Sequence, residues 1–140
     1  MTFSKEDILK KANSVNKNTL METLSIEFID AGSDYIIAKM PVNSRVHQPD
    51  GVLHGGATLA LAETVGSFAA HVFLDVKSFY VRGIDISAQH VKSVKSGYVY
   101  AKAQCIHKGR TTQVFDIKVT NEDEQLISIC KLTTITLPKS

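Results

Sequence analysis

The stretch "HQPDGVLHGGATLALAETVGSFAA", residues 47–70, decides how this chain folds. It opens as turn chemistry at Pro49, Asp50 and Gly51, passes a histidine and two glycines, and runs on as an apolar segment too long for a strand. From Gly55 to Leu74 the one formally charged residue is Glu63. A helix that is apolar nearly all round must be covered nearly all round, so a sheet curved about this one is expected. Its Ala, Gly and Ser positions would let strands approach closely. A carboxylate in such a helix is costly unless it is paired or used. Either Glu63 is buried against a structural partner such as Arg82, or it does chemistry.

The rest of the chain sets the frame. Its 140 residues predict one domain, 1–140, with 44% hydrophobic and 21% charged residues, the balance of an ordinary globular protein. A net charge of +2 with no long Lys/Arg run argues against a nucleic-acid partner. Cys105 and Cys130 lie far apart, outside any CxxC pattern, and read as small core residues of a protein in a reducing compartment. The first eighteen residues carry charges throughout and no apolar core of a secretory signal. Glu63, His71 and the many small polar residues argue against a membrane span at Gly55–Leu74.

Ser4–Val15 reads as an amphipathic helix, with Ser4 as cap, Glu6 and Asp7 in the first turn, and Lys10 and Lys11 near its end. Leu24–Ala31 and Tyr35–Val42 read as strands joined by the turn "AGSD", with Ile36, Ala38, Met40 and Val42 on one face. After the long helix come four β-rich runs, Phe79–Val91, Tyr98–His107, Thr112–Thr120 and Leu126–Leu137, separated by "KSG", "KGR" and "NEDEQ". Together these predict an α+β domain of one long helix and five to six antiparallel strands.

His54, Gly55 and Gly56 stand where loop becomes helix. The first N–H groups of a helix lack intrahelical partners and carry partial positive charge. Glycines there would let a ligand oxygen reach those donors, which is what an oxyanion hole requires; a plain turn leading into a helix is the other reading. Ser67 follows Glu63 by one turn on the same face and could orient a water, or serve only as a small packing residue. Glu63 stands nine residues after His54, about 13 Å along the axis and on the opposite side of the helix. One copy cannot easily present both to one reacting centre. Two copies related by a two-fold axis could.

The combination of Gln48, His54-Gly55-Gly56, Glu63 and Ser67 closely resembles the signature of hotdog-fold acyl-CoA thioesterases, of the PaaI/EntH-type group that includes aryl-CoA and dihydroxynaphthoyl-CoA thioesterases. The resemblance runs through "AKMPVNSRVHQP", "GIDISAQHV", "IHKGR" and "KLTTITL". It implies a curved antiparallel β-sheet wrapped around one long central α-helix. It implies that the Gly55 N–H polarises the thioester carbonyl, that Gln48 supports that carbonyl, and that His54 holds Gln48 and the leaving thiol. Glu63 of a facing subunit would be nucleophile or general base, and Ser67 would position the water. Substrate would also meet Gly83, His90 beside the acyl pocket, and Lys108, Gly109 and Arg110 at the CoA nucleotide.

Asp50 stands where aryl-CoA relatives often carry a bulky apolar residue, which bears on acyl preference. No Asp-plus-His dehydratase motif is present. The expected protein is therefore a cytoplasmic acyl- or aroyl-CoA hydrolase without metal or cofactor, coenzyme A being part of the substrate. It is expected to be a homodimer with shared sites, assembled as a dimer of dimers (a homotetramer). The alternatives are a non-catalytic acyl-CoA-binding protein of the same fold and, with less support, an enoyl-CoA hydratase.

Overall fold

A computed structural model describes residues 4–74 and 76–140. Helix α1 (Lys5–Ser14) is capped by Ser4, whose Oγ accepts from the Asp7 N–H at 3.1 Å. Its end is tied to strand β1 (Glu27–Ala31) by Asn13, which accepts from the Phe28 N–H (2.8 Å) and donates to the Phe28 carbonyl (3.0 Å). Between them lies a short helix, α2 (Leu20–Thr23), and the strand expected from Leu24 begins only at Glu27. Leu24 instead closes α2, and Ser25, at φ 58°, turns the chain into β1. Strand β2 (Tyr35–Pro41) follows the expected turn, closed by the Gly32 N–H donating to the Tyr35 carbonyl. Ile36, Ala38 and Met40 are fully buried on its inner face, and Val42 continues the pattern just beyond it.

The long helix α3 spans Gly55–Phe73. The strands after it are β3 (Phe79–His90), β4 (Tyr98–Lys108), β5 (Thr112–Thr120) and β6 (Leu126–Pro138), within a residue of the expected bounds. All pair antiparallel in one sheet of order β1-β2-β4-β5-β6-β3. The sheet packs on α3 through Val99, Ala101, Ala103, Phe115, Ile117, Val119, Cys130 and Leu132, all buried. This is the hotdog architecture. Burial, with the Asp116 carboxylate adding to it, pushes the Cys130 thiol up to about 11, consistent with an inert core cysteine.

The sheet covers one face of α3, not its whole circumference. Thr58, Leu61, Ala62, Val65, Gly66, Ala69 and Ala70 are buried against it. Gly56, Glu63 and His71 are exposed, and Leu59, Ala60 and Ser67 are half-buried. Glu63 is therefore not a buried carboxylate within one chain. Arg82 is not its partner either: its guanidinium stacks over the Tyr80 ring at 5.0 Å and donates to the Val81 carbonyl. In β3, Arg82 pairs with Ile135, one position out of phase with the buried Val81, which faces it away from the helix. None of the helices among the described residues is long and apolar enough to cross a membrane.

Candidate functional site

The loop before α3 is held from both sides. The Gln48 N–H donates to the Val52 carbonyl and the Gly51 N–H to that of Gln48, with Gly51 at φ 77° making the turn. The Leu53 N–H reaches the Val94 carbonyl and the His54 N–H that of Val46, both at 2.8 Å. His47 Nε2 lies 2.8 Å from the Lys95 carbonyl, a structural role. The start of α3 is thereby fixed at the end of the sheet where β3 finishes.

The amides of this helix start can be accounted for one by one. His54 is the N-cap, and its Nδ1 accepts from the Gly56 N–H at 2.8 Å. The Ala57 and Thr58 N–H groups both donate to the His54 carbonyl, at 3.0 and 3.2 Å. Gly55 is left, and among the described residues its N–H has no hydrogen-bond partner. It lines a cleft of about 380 Å³ together with Gln48, Thr58, His90 and Ser128. An unpaired amide on the positive end of a helix, in a residue that lines a cleft, can bind a carbonyl oxygen and stabilise negative charge that develops on it.

Each glycine of "HGG" makes room for an imidazole. A Cβ on Gly56 would stand 2.9 Å from His54 Nδ1, and one on Gly55 would stand 2.8 Å from His90 Nε2. His90 closes β3 and reaches across to Gly55, while its Nδ1 lies 2.7 Å from Ser128 Oγ. Gln48 Oε1 accepts from the Asp50 N–H at 2.6 Å. No hydrogen bond joins His54 to Gln48 among the described residues; each is engaged with neighbouring backbone.

The remaining expected residues lie elsewhere. Glu63 leans over the edge strand, with Oε2 3.5 Å from where a Cβ on Gly83 would stand. Ser67 is one turn further on, its carbonyl accepting from His71 Nδ1 if that nitrogen is protonated. The "HKGR" turn sits at the far end of α3, about 28 Å from Gly55 for a helix of 19 residues. There Lys108 Nζ donates to the Phe73 carbonyl at 3.5 Å, capping the helix C-terminus. Gly109 tolerates no side chain, since a Cβ would fall 2.7 Å from the Thr112 carbonyl. Arg110 is exposed. One chain thus assembles Gln48, His54, Gly55 and His90 at one end of the helix, and leaves Glu63, Ser67, Gly83 and Arg110 away from them. No group of three His, Cys, Asp or Glu among the described residues is placed to hold a metal.

Ser128 was not singled out from the sequence. The available signal was parity: in "LISICKLTT" the alternation that points Cys130, Leu132 and Thr134 inward also points Ser128 inward, and a hydroxyl there needs a partner.

Comparison with known proteins adds four findings. The model of the thioesterase superfamily matches residues 50–128. The chain is 38% identical over 134 residues to the proofreading thioesterase EntH of Cronobacter turicensis, covering 96% of this chain and 97% of that one. It is 39% identical over 114 residues to the 1,4-dihydroxy-2-naphthoyl-CoA hydrolase of Listeria monocytogenes, covering 81% and 92%. A crystal structure of a mutant of thioesterase PA1618 from Pseudomonas aeruginosa superposes with a TM-score of 0.91 at 39% identity, over 94% of each chain.

Proposed function

Because this chain belongs to the thioesterase superfamily and is a thioester hydrolase of the hotdog fold, we propose that it hydrolyses an acyl- or aroyl-CoA to the free acid and CoA, in a site shared by two copies of the chain. The observation that carries this reading is the N–H of cleft-lining Gly55, unpaired among the described residues, with the one carboxylate of α3 exposed on another face of that helix. The Gly55 N–H, supported by Gln48, takes the thioester carbonyl oxygen and stabilises the charge it gains. Glu63 of the partner subunit attacks the carbonyl carbon or draws a proton from a water that does, and Ser67 beside it holds that water. Either way the C–S bond breaks, CoA leaves as the thiol, and water supplies the new oxygen of the acid.

Two further features support a second copy. Strand β3 is an edge of the sheet, and edges as long as its 12 residues are usually covered. Glu63 stands over that edge at Gly83. The relatives named as acting on a CoA thioester or as proofreading thioesterases make CoA thioesters the substrate class to test first. The rival reading, a silent acyl-CoA binder, differs by releasing no free thiol when enzyme is substoichiometric.

Mixed oligomers test the sharing. His54→Ala and Glu63→Gln, each impaired alone, are co-expressed with different tags and the mixed dimer is purified. With shared sites and a two-fold axis, one site collects both substitutions and the other neither, so about half of wild-type activity returns. Mixed dimers no more active than the better parent would show that each site lies within one chain.

A further inference from the structure

Ser128 is fully buried on the inner face of β6, where it pairs with Val119 of β5 on one side and His90 of β3 on the other. Its Oγ lies 2.7 Å from His90 Nδ1, and it has no other side-chain partner among the described residues. A buried hydroxyl proton needs an acceptor. Serine offers one donor and two lone pairs, while neutral imidazole has one N–H and one bare nitrogen. Were Nδ1 protonated and donating to Oγ, the serine proton would have nowhere to go. With the O–H donating to Nδ1 both groups are satisfied, and the imidazole proton sits on Nε2. That nitrogen is the atom that reaches Gly55, 2.8 Å from the position a Cβ there would take.

We propose that Ser128 is a positioning residue that holds His90 as its Nε2–H tautomer, so that His90 supplies a second hydrogen-bond donor beside the unpaired Gly55 N–H for the same thioester carbonyl oxygen. The inference rests on the reading of Gly55 as the carbonyl-binding amide. The two donors come from separate elements, α3 and β3, and both are fixed before substrate arrives. Ser128 fixes one; the hydrogen bonding of residues 56–58 leaves the other free. Neither donor gives up its proton. Each hydrogen bond strengthens as charge gathers on the oxygen. Glycine is needed at 55 because the imidazole occupies the space of a side chain.

The test begins with the wild-type protein. Long-range ¹H–¹⁵N spectra are recorded at about pH 8.5, above the ordinary imidazole pKa of about 6.5, with His90 assigned by loss of its signals in His90→Gln. The expected result is a protonated Nε2 and a bare Nδ1; a dominant Nδ1–H tautomer would overturn the proposal. Ser128→Ala should then show mixed tautomers, with kcat lowered by about 10-fold and KM within about two-fold. Ser128→Thr, which keeps the hydroxyl, should restore the single tautomer and most of kcat. Wild-type kcat in a folded Ser128→Ala would overturn the positioning role, and should that variant not fold, the wild-type spectrum decides. If the wild type released no thiol from any acyl-CoA, the hydrolase reading would fail, while the spectrum would still settle which nitrogen of His90 Ser128 holds bare.

Discussion

Replacing Gly66 by alanine should destabilise the protein, although alanine favours helix. Gly66 is buried in the middle of α3, on the side packed against Leu132 and Ile117 of the sheet. A Cβ there would stand 2.7 Å from Leu132 Cδ2 and 3.2 Å from Ile117 Cδ1. Carbon atoms in contact prefer about 3.5–4.0 Å. Ile117 is fully buried and Leu132 is 1% exposed, with its other methyl turned toward Gly83, so neither can swing clear. Overpacking of this kind costs about 1–3 kcal/mol, and removing a helical glycine returns about 1 kcal/mol. The net loss should be about 1 kcal/mol, which for a domain of this size lowers Tm by about 3–4 °C. The assay is thermal and urea unfolding of both proteins at matched concentration, because assembly would add its own stabilisation. Leu132→Val in the same background shortens the offending side chain. The double variant should lose less stability than the two single variants added together, by about 0.5 kcal/mol or more. An unchanged or raised Tm in Gly66→Ala, with additive energies in the pair, would refute the close packing of α3 on β5 and β6.

Glu63→Gln should lower kcat by about 10²–10⁴-fold with KM nearly unchanged, as thiol release from an acyl-CoA would show; retention of more than half the activity would make Glu63 structural. Arg110→Ala should raise KM for acyl-CoA and leave hydrolysis of a truncated pantetheine thioester much less affected, because the exposed guanidinium is suited to phosphate; equal losses on both substrates would remove it from nucleotide recognition. At the other end of the chain, the Lys5 ammonium, 2.6 Å from Asp30, holds that carboxyl below its usual range, helped by the Tyr35 hydroxyl and the Ala31 N–H. A depressed carboxylate adds stability above its ordinary pKa of about 3.9 and loses it as pH falls through the folded value. Asp30→Asn should therefore unfold more easily than wild type at pH 7, with the gap closing in acid; a gap that persists at pH 2 would assign the effect to something other than the charge.

The sequence by itself determined α1, α3 and the six strands. Alternation in Tyr35–Val42 and Thr112–Thr120 reported an inner face because strand side chains repeat every two residues. The apolar run after "HGG" reported a helix because it was too long for a strand and carried one charge. The motif also marked the helix start as the candidate place for chemistry, and Gly55 there keeps an N–H unpaired among the described residues. Local patterns of this kind cannot say which distant residues meet. That β3 crosses to the far edge of the sheet and pairs with β6 follows from how six strands close over one helix, and it alone brings His90 to Gly55 and Ser128. The short helix α2 was missed because four residues carry too little periodicity to separate a turn of helix from a strand end. From the sequence Glu63 could be either a buried, partnered carboxylate or a chemical group, because it is the one charge in an apolar run. Only the packed chain shows that its sheet covers one side of α3, so the carboxylate lies on the uncovered face: composition reports how apolar a helix is, and the direction from which it is covered is a property of the tertiary structure.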